Sequence, residues 1–155
     1  MNIERKTPSI NANDLKEQEA YFKCELPEDY KRFLLEYNGG IPDKNIVSFT
    51  ENNRKTEDYI DLFFGFCDDD IYGIFDNYCT FLKRIPSNTI PIARDPGGNL
   101  FLMSIRGDDY GHIYFWDHEE EIYEGQEPDY SNMSLVAKSF TDLLNNLKDI
   151  SVIDD

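Results

Sequence analysis

Basic residues are scarce in this chain: 15 Lys and Arg stand against 31 Asp and Glu, a formal net charge of −16 over 155 residues. Gripping a phosphate backbone takes clustered Lys and Arg, so the balance argues against nucleic acid and anionic membranes as partners. It favours a basic partner, whose encounter the field would speed, although acidity that serves only solubility has the same composition. Cysteine is also scarce. Cys24, Cys67 and Cys79 are odd in number and have no C-x-x-C spacing, which leaves neither a paired disulfide framework nor a zinc knuckle. Each has aromatic or aliphatic neighbours, so they read as buried reduced thiols of a cytoplasmic protein. The opening MNIERKTPSIN lacks the apolar stretch of a signal peptide, and no apolar run approaches the length of a membrane span. Internal repeats and low-complexity linkers are missing too.

What is present is the material of a core. A hydrophobic fraction of 40%, with 10 Tyr and 11 Phe, argues against disorder despite the charge. The length suits one domain over 1–155, with its core at about 11–150, that buries roughly 70% of its unfolded surface. The first ten residues and the tail Ser151–Asp155 carry no periodic pattern and are expected to be loose.

Asn11 can cap a first helix reaching Cys24, with Ala12, Leu15, Glu19 and Phe22 on one face. Pro27 to Tyr37 reads as a second helix, because proline suits a first turn and Tyr30, Phe33, Leu34 and Tyr37 recur at helical spacing. Asn38, Gly39 and Gly40 end it, with Gly39 expected at positive φ. Ile46–Phe49 is a short strand and the aromatic run Tyr59–Phe66 a longer one. Ile71 to Arg84 reads as a third helix burying Ile71, Ile74, Phe75, Tyr78, Leu82 and Ile85. Three strands follow, Thr89–Arg94, Leu100–Ile105 and His112–His118, joined by turns rich in Gly, Asp and Asn. Ser139 and Asp142 form a capping box for a last helix that buries Phe140, Leu143, Leu144 and Leu147. The order αα-β-α-βββ-α with hairpin links predicts an α+β fold: a mainly antiparallel sheet of four to five strands with helices on one face.

No catalytic constellation emerges. His112 and His118, the two histidines, fall on one expected strand and share a face, but lack H-x-x-x-H spacing or a cysteine partner for a metal. Asp117 could orient His118, yet Ser104 and Cys79 have no nucleophile context. Asp95–Asn99 lacks the Lys and Ser/Thr of a phosphate loop and reads as a hairpin turn. Asp68–Asp70 suits a helix N-terminus, where carboxylates offset the dipole, and has no calcium-loop spacing. The expectation is no cofactor and no metal. The acidic stretch after Trp116 is different. Glu119, Glu120, Glu121, Glu124, Glu127 and Asp129 surround Tyr123, and an aromatic anchor rimmed by one sign of charge is how protein-binding hot spots are built. Asp108, Asp109 and Tyr110, at the preceding hairpin tip, join them as candidate partner contacts. A solvated loop is the competing reading, and a straight hairpin would send tip and loop to opposite ends of a strand.

These pieces resemble the SUKH superfamily, which includes fungal cell-wall regulators of the Smi/Knr type and many bacterial immunity proteins. LPEDYKRFLLEYNGG (Leu26–Gly40) is similar to its second-helix signature, with Leu26, Pro27, Tyr30, Asn38, Gly39 and Gly40. Glu19, seven residues before Leu26, matches its first-helix glutamate. IPIARDPGGNLFLM (Ile90–Met103) resembles its hairpin, through Asp95, Gly97, Gly98 and Asn99. GHIYFWDHE (Gly111–Glu119) resembles its strand, through Gly111, Trp116 and His118, and SFTDLLNNL (Ser139–Leu147) its closing helix, through Ser139 and Phe140. The resemblance implies an α+β fold, no catalysis, no cofactor, and mainly structural roles for these residues. Bacterial members of this type are encoded beside polymorphic toxins, often nucleases, and bind them. A cognate, basic toxin is therefore the partner it implies. A regulatory scaffold for other cellular proteins is the second reading, and a small hydrolase built on His118 and Asp117 a distant third.

Overall fold

The computed structural model describes residues 1–149. Its elements run β1 (Ile3–Glu4), α1 (Ala12–Phe22), α2 (Glu28–Glu36), β2 (Ile41–Pro42), β3 (Ile46–Glu51), β4 (Arg54–Tyr59), β5 (Leu62–Phe63), α3 (Ile74–Thr80), β6 (Thr89–Arg94), β7 (Leu100–Ser104), β8 (Ile113–Trp116), β9 (Met133–Ala137) and α4 (Phe140–Asn146). The fold is α+β and its named strand pairs are antiparallel, three of them (β3–β4, β6–β7 and β7–β8) joined by short local hairpins. The main sheet has five strands in the order β5-β6-β7-β8-β9, and β1–β2 and β3–β4 form two-stranded ribbons.

Main-sheet register explains how both its faces are covered. Phe63, Ala93, Phe101 and Phe115 are directly paired across four strands and so point to one face. There they meet Phe33 of α2, Phe140 of α4 and Phe49 of β3, at ring separations of 5.2, 5.8 and 5.0 Å. Trp116, one residue on, points to the other face. Its ring is fully buried and packs edge-on against Phe81, just after α3, at 5.5 Å. The helical cover expected on one face is supplied there by α2 and α4, while the end of α3 reaches the opposite face. All five residues of β7 are buried, which a strand covered on both sides requires.

Helix ends follow the local chemistry. Asn11 accepts from the Asp14 amide while Asp14 reaches back to the Asn11 amide, a reciprocal cap for α1. Ser139 accepts from the Asp142 amide and caps α4. The third helix departs from expectation. It spans Ile74–Thr80 rather than Ile71–Arg84 because the Asp69 carboxylate captures the amides of Ile71 and Tyr72, and a tight turn competes with helix there. Ile74 and Ile85 are buried, but Ile71, Phe75 and Leu82 are 47%, 37% and 51% exposed, so half the expected core face lies outside the core. Asp68–Asp70 therefore builds a turn, not a helix N-terminus.

Other expectations are corrected by tertiary contacts. The aromatic run Tyr59–Phe66 is not one strand. Tyr59 ends β4, the chain crosses over, and only Leu62–Phe63 joins the main sheet. Beyond it, Gly65 is pressed so closely on Asn38 that an added Cβ would lie 1.9 Å from its carbonyl oxygen. β4, RKTEDY, has no apolar alternation and is held by its register with β3. β9 lies where no element was expected, paired with β8. The N-terminus is tied down: Ile3 pairs with Pro42, and buried Thr7 donates its hydroxyl to the Asn38 carbonyl at 2.5 Å. The tail Ser151–Asp155 lies outside the described residues. His112 and His118 both fall outside β8, His118 in a 3-10 turn over His118–Glu120, so they do not share a strand face. Cys24 and Cys67 are half-buried, and Cys79 is exposed on short α3. Among the described residues no helix is long and apolar enough to cross a membrane.

Candidate partner-binding site

Four polar residues of the motifs quoted above, Glu19, Asn38, Asp95 and Asn99, are occupied in closing turns. Glu19 accepts the Leu26 amide at 2.7 Å and so clamps the link between α1 and α2. Leu26 and Tyr30 are buried, and Pro27 is the N-cap of α2. Asn38, fully buried at φ 51°, donates to the carbonyls of Pro8 and Phe66 and accepts the Phe66 amide. Gly39 sits at φ 88°, where a Cβ would lie 2.6 Å from the Phe63 oxygen, and Gly40 exchanges hydrogen bonds with Phe63. Asp95 accepts the amides of Gly97 and Asn99 and the Asn99 side chain. Gly98, at φ 94°, lies under the His118 ring, and Asn99 accepts the His118 amide. Gly111 turns the next hairpin at φ 86°. Phe140 is buried beside Tyr30 and Phe33.

The acidic candidates divide into two groups. At the hairpin tip, Asp108 is exposed, but Asp109 accepts hydrogen bonds from Ser104, Tyr114 and Tyr130. Its partial burial opposes ionisation. The bonds from Tyr130, Tyr114 and Ser104 outweigh this and hold its carboxyl below the ordinary carboxylate range. Burial, followed by the bond to Asp109, raises both tyrosines. Tyr110 spends its hydroxyl on the Glu25 carbonyl. Asp109 and Tyr110 thus act within the fold. In the loop, Glu121 forms a two-pronged pair with Arg84 at 3.0 and 3.1 Å, and Asp129 accepts from Ser131. Glu119, Glu120, Glu124 and Glu127 are exposed without an ionic partner among the described residues, and Tyr123 is 83% exposed.

The two segments do meet, by a route that strand order hides. Tyr130 stacks edge-on against Tyr114 at 5.0 Å, and its hydroxyl lies 2.6 Å from Asp109. The end of the acidic loop is thereby fastened to the hairpin tip, while its beginning stays at the Asp95–Asn99 turn through His118. Between the loop and the chain after α3 lies a cleft of about 960 Å³, lined on one side by Tyr78 and residues 82–88 and on the other by residues 121–130. Arg84, with its guanidinium 4.6 Å above the Phe81 ring, bridges the two walls through Glu121. Arg84, Leu82, Asn88 and Tyr130 were missed as site residues. Arg84 and Glu121 are 37 positions apart, and nothing local in the sequence links them. The cleft offers the free carboxylates of Glu124 and Glu127 and an exposed aromatic and aliphatic surface. No three His, Cys, Asp or Glu side chains gather as a metal site among the described residues.

Comparison with known proteins extends this picture. The sequence model of the SMI1 / KNR4 family (SUKH-1) matches residues 9–146. The chain is 33% identical to the SPbeta prophage-derived uncharacterized protein YokK of Bacillus subtilis (strain 168), an alignment that covers 92% of this chain and 77% of that protein. A match running from before α1 to the last residue of α4, together with that relative, means that the chain belongs to the SMI1 / KNR4 family (SUKH-1).

Proposed function

We propose that this protein is an immunity protein: it binds a basic toxin inside the producing cell and neutralises it, without catalysis or a cofactor. The carrying observation is how the polar residues divide. Glu19, Asn38, Asp95 and Asn99 of the family motifs hold turns, and free carboxylates stand in the acidic loop, where Glu119 and Glu120 precede exposed Tyr123 and Glu124 and Glu127 line the cleft with it. A toxin that grips nucleic acid must be basic where it does so. Carboxylates of this kind steer such a surface into contact, and the aromatic supplies the anchor. A net charge of −16 adds to the steering, and a prophage-derived relative suits a gene that travels in a toxin cassette.

The test is co-expression with a toxin, should the adjacent gene encode one. Growth should be rescued by this protein, and the two should purify as a complex. Replacing Glu119, Glu120, Glu124 and Glu127 together with Lys should slow association at low salt by about tenfold or more while leaving folding nearly unchanged. Rescue without a complex, or a complex indifferent to that reversal, would overturn the reading of this loop. Failure of rescue would favour the regulatory-scaffold role instead.

A further inference from the structure

Core packing accounts for most of the aromatic side chains, but not for Tyr21 and Phe75. Tyr21 is 53% exposed on the last turn of α1, and Phe75 is 37% exposed on α3. Their rings meet edge-on, with centroids 5.0 Å apart and planes at 77°. Behind them, Tyr21 also packs on Phe22 at 5.0 Å, and Phe22 is held by Tyr78 at 5.1 Å. The pair is therefore braced from below and open above. It borders a groove of about 490 Å³ whose other walls are Ile10, Phe66 and Cys67, with Asp14, Glu17, Gln18 and Asp68 around them. No Lys or Arg lines this groove among the described residues.

Charge decides which occupant suits it. A second copy of the chain would bring another −16 against an already acidic rim, and nucleic acid would bring phosphates; both are repelled. An apolar side chain flanked by Lys or Arg gains on both counts, because the ring pair buries its apolar part and Asp14, Glu17 and Asp68 receive its cations. We propose that the groove between α1 and the start of α3, built on Tyr21 and Phe75, docks a basic segment of a protein partner through one aromatic or branched aliphatic side chain. This surface is separate from the acidic loop and does not depend on it. Phe75 lies there because the Asp69 turn delays the helix until Ile74, which turns Ile74 inward and Phe75 outward.

The experiment is selection of displayed random dodecapeptides on the intact protein, followed by affinity measurement on synthetic copies of the enriched sequences. Enriched peptides should carry Lys or Arg on both sides of an aromatic or aliphatic residue. Their affinity should fall at least about tenfold with Phe75→Ser and with Tyr21→Ser, and hold with Phe75→Leu. At about 0.15 M salt, where the long-range field is screened to within about 8 Å, it should stay within about twofold when Glu119, Glu120, Glu124 and Glu127 are reversed, since Glu124 and Glu127 line the other cleft and Glu119 and Glu120 precede them on its loop. Thermal melting of each variant separates lost binding from lost folding, and both ring positions are exposed enough for the fold to survive. Three outcomes overturn the proposal: no enrichment, enriched peptides without basic residues, or affinities indifferent to Phe75→Ser. Concentration-dependent self-association abolished by Phe75→Ser would overturn it as well, by making the groove a contact between copies.

Discussion

Asp58 stands on a mostly exposed strand, yet its Oδ2 is buried with no N–H or hydroxyl donor among the described residues, and the group beside it is the Asp95 carboxyl. Burial, and then the bond shared with Asp95, push its carboxyl from 3.8 up to about 7. The folded state therefore holds a proton that the unfolded chain has released. Stability from this contact is complete below about pH 4 and is lost as pH rises through about 7. Asp58→Asn keeps a donor toward Asp95 at every pH. Relative to the parent, the variant should be equally stable near pH 4 and more stable at pH 8 by about 1–2 kcal/mol, allowing for solvent screening of a half-buried pair. Urea unfolding of both proteins at several pH values reads this directly, and a constant difference would show that the two carboxyls share no proton. Trp116 shows the opposite economy. It is fully buried on the Phe81 side of the sheet, so Trp116→Ala should cost about 3–5 kcal/mol in the same assay.

At the scale of elements, the acidic loop is more than a tether between β8 and β9. Its last turn is fixed by the Tyr130 hydroxyl, which donates to Asp109 and accepts from Asn88, and its first part by Arg84 on Glu121. Between these anchors stands Tyr123 with no such hold among the described residues. Tyr130→Phe removes one anchor at a cost of about 0.5–1.5 kcal/mol. Amide exchange should then quicken across residues 121–132 and stay unchanged in β6 and β7, because the loop can open without unpairing the central strands. Exchange that quickens everywhere would show the loop to be integral to the sheet. The motif elements behave differently. Asn38 and Gly39 are bonded to or pressed against backbone from distant parts of the chain, Asp95 closes its own turn through the Gly97 and Asn99 amides, and this makes all three architectural.

For the whole molecule, 31 acidic residues against 15 basic ones produce a field that acts before any contact forms. Self-repulsion opposes compaction, while the exposed ion pairs that salt would weaken contribute little. The melting temperature at pH 7–8 should therefore rise as sodium chloride is added from low to moderate concentration, on the scale set by a Debye length of about 10 Å at 0.1 M. A melting temperature that falls with salt would mean that ion pairs such as Lys31 with Glu28, at 2.9 Å, outweigh the repulsion.

The sequence by itself determined the α+β class, two of the helix caps, the β6–β7–β8 hairpins and the family, because capping, turn chemistry and helical periodicity act over a few residues. It misjudged α3, because periodicity cannot register a carboxylate that captures the amides of the first turn. It gave no sign of β1, β4 and β9, whose short or polar strands exist only through the partners they pair with. Nor did it show that Tyr130 reaches Asp109, that Arg84 holds Glu121, or that Tyr21 and Phe75 face solvent together. Such contacts join residues tens of positions apart, and loop closure across that distance is decided by packing the whole core, not by any local preference.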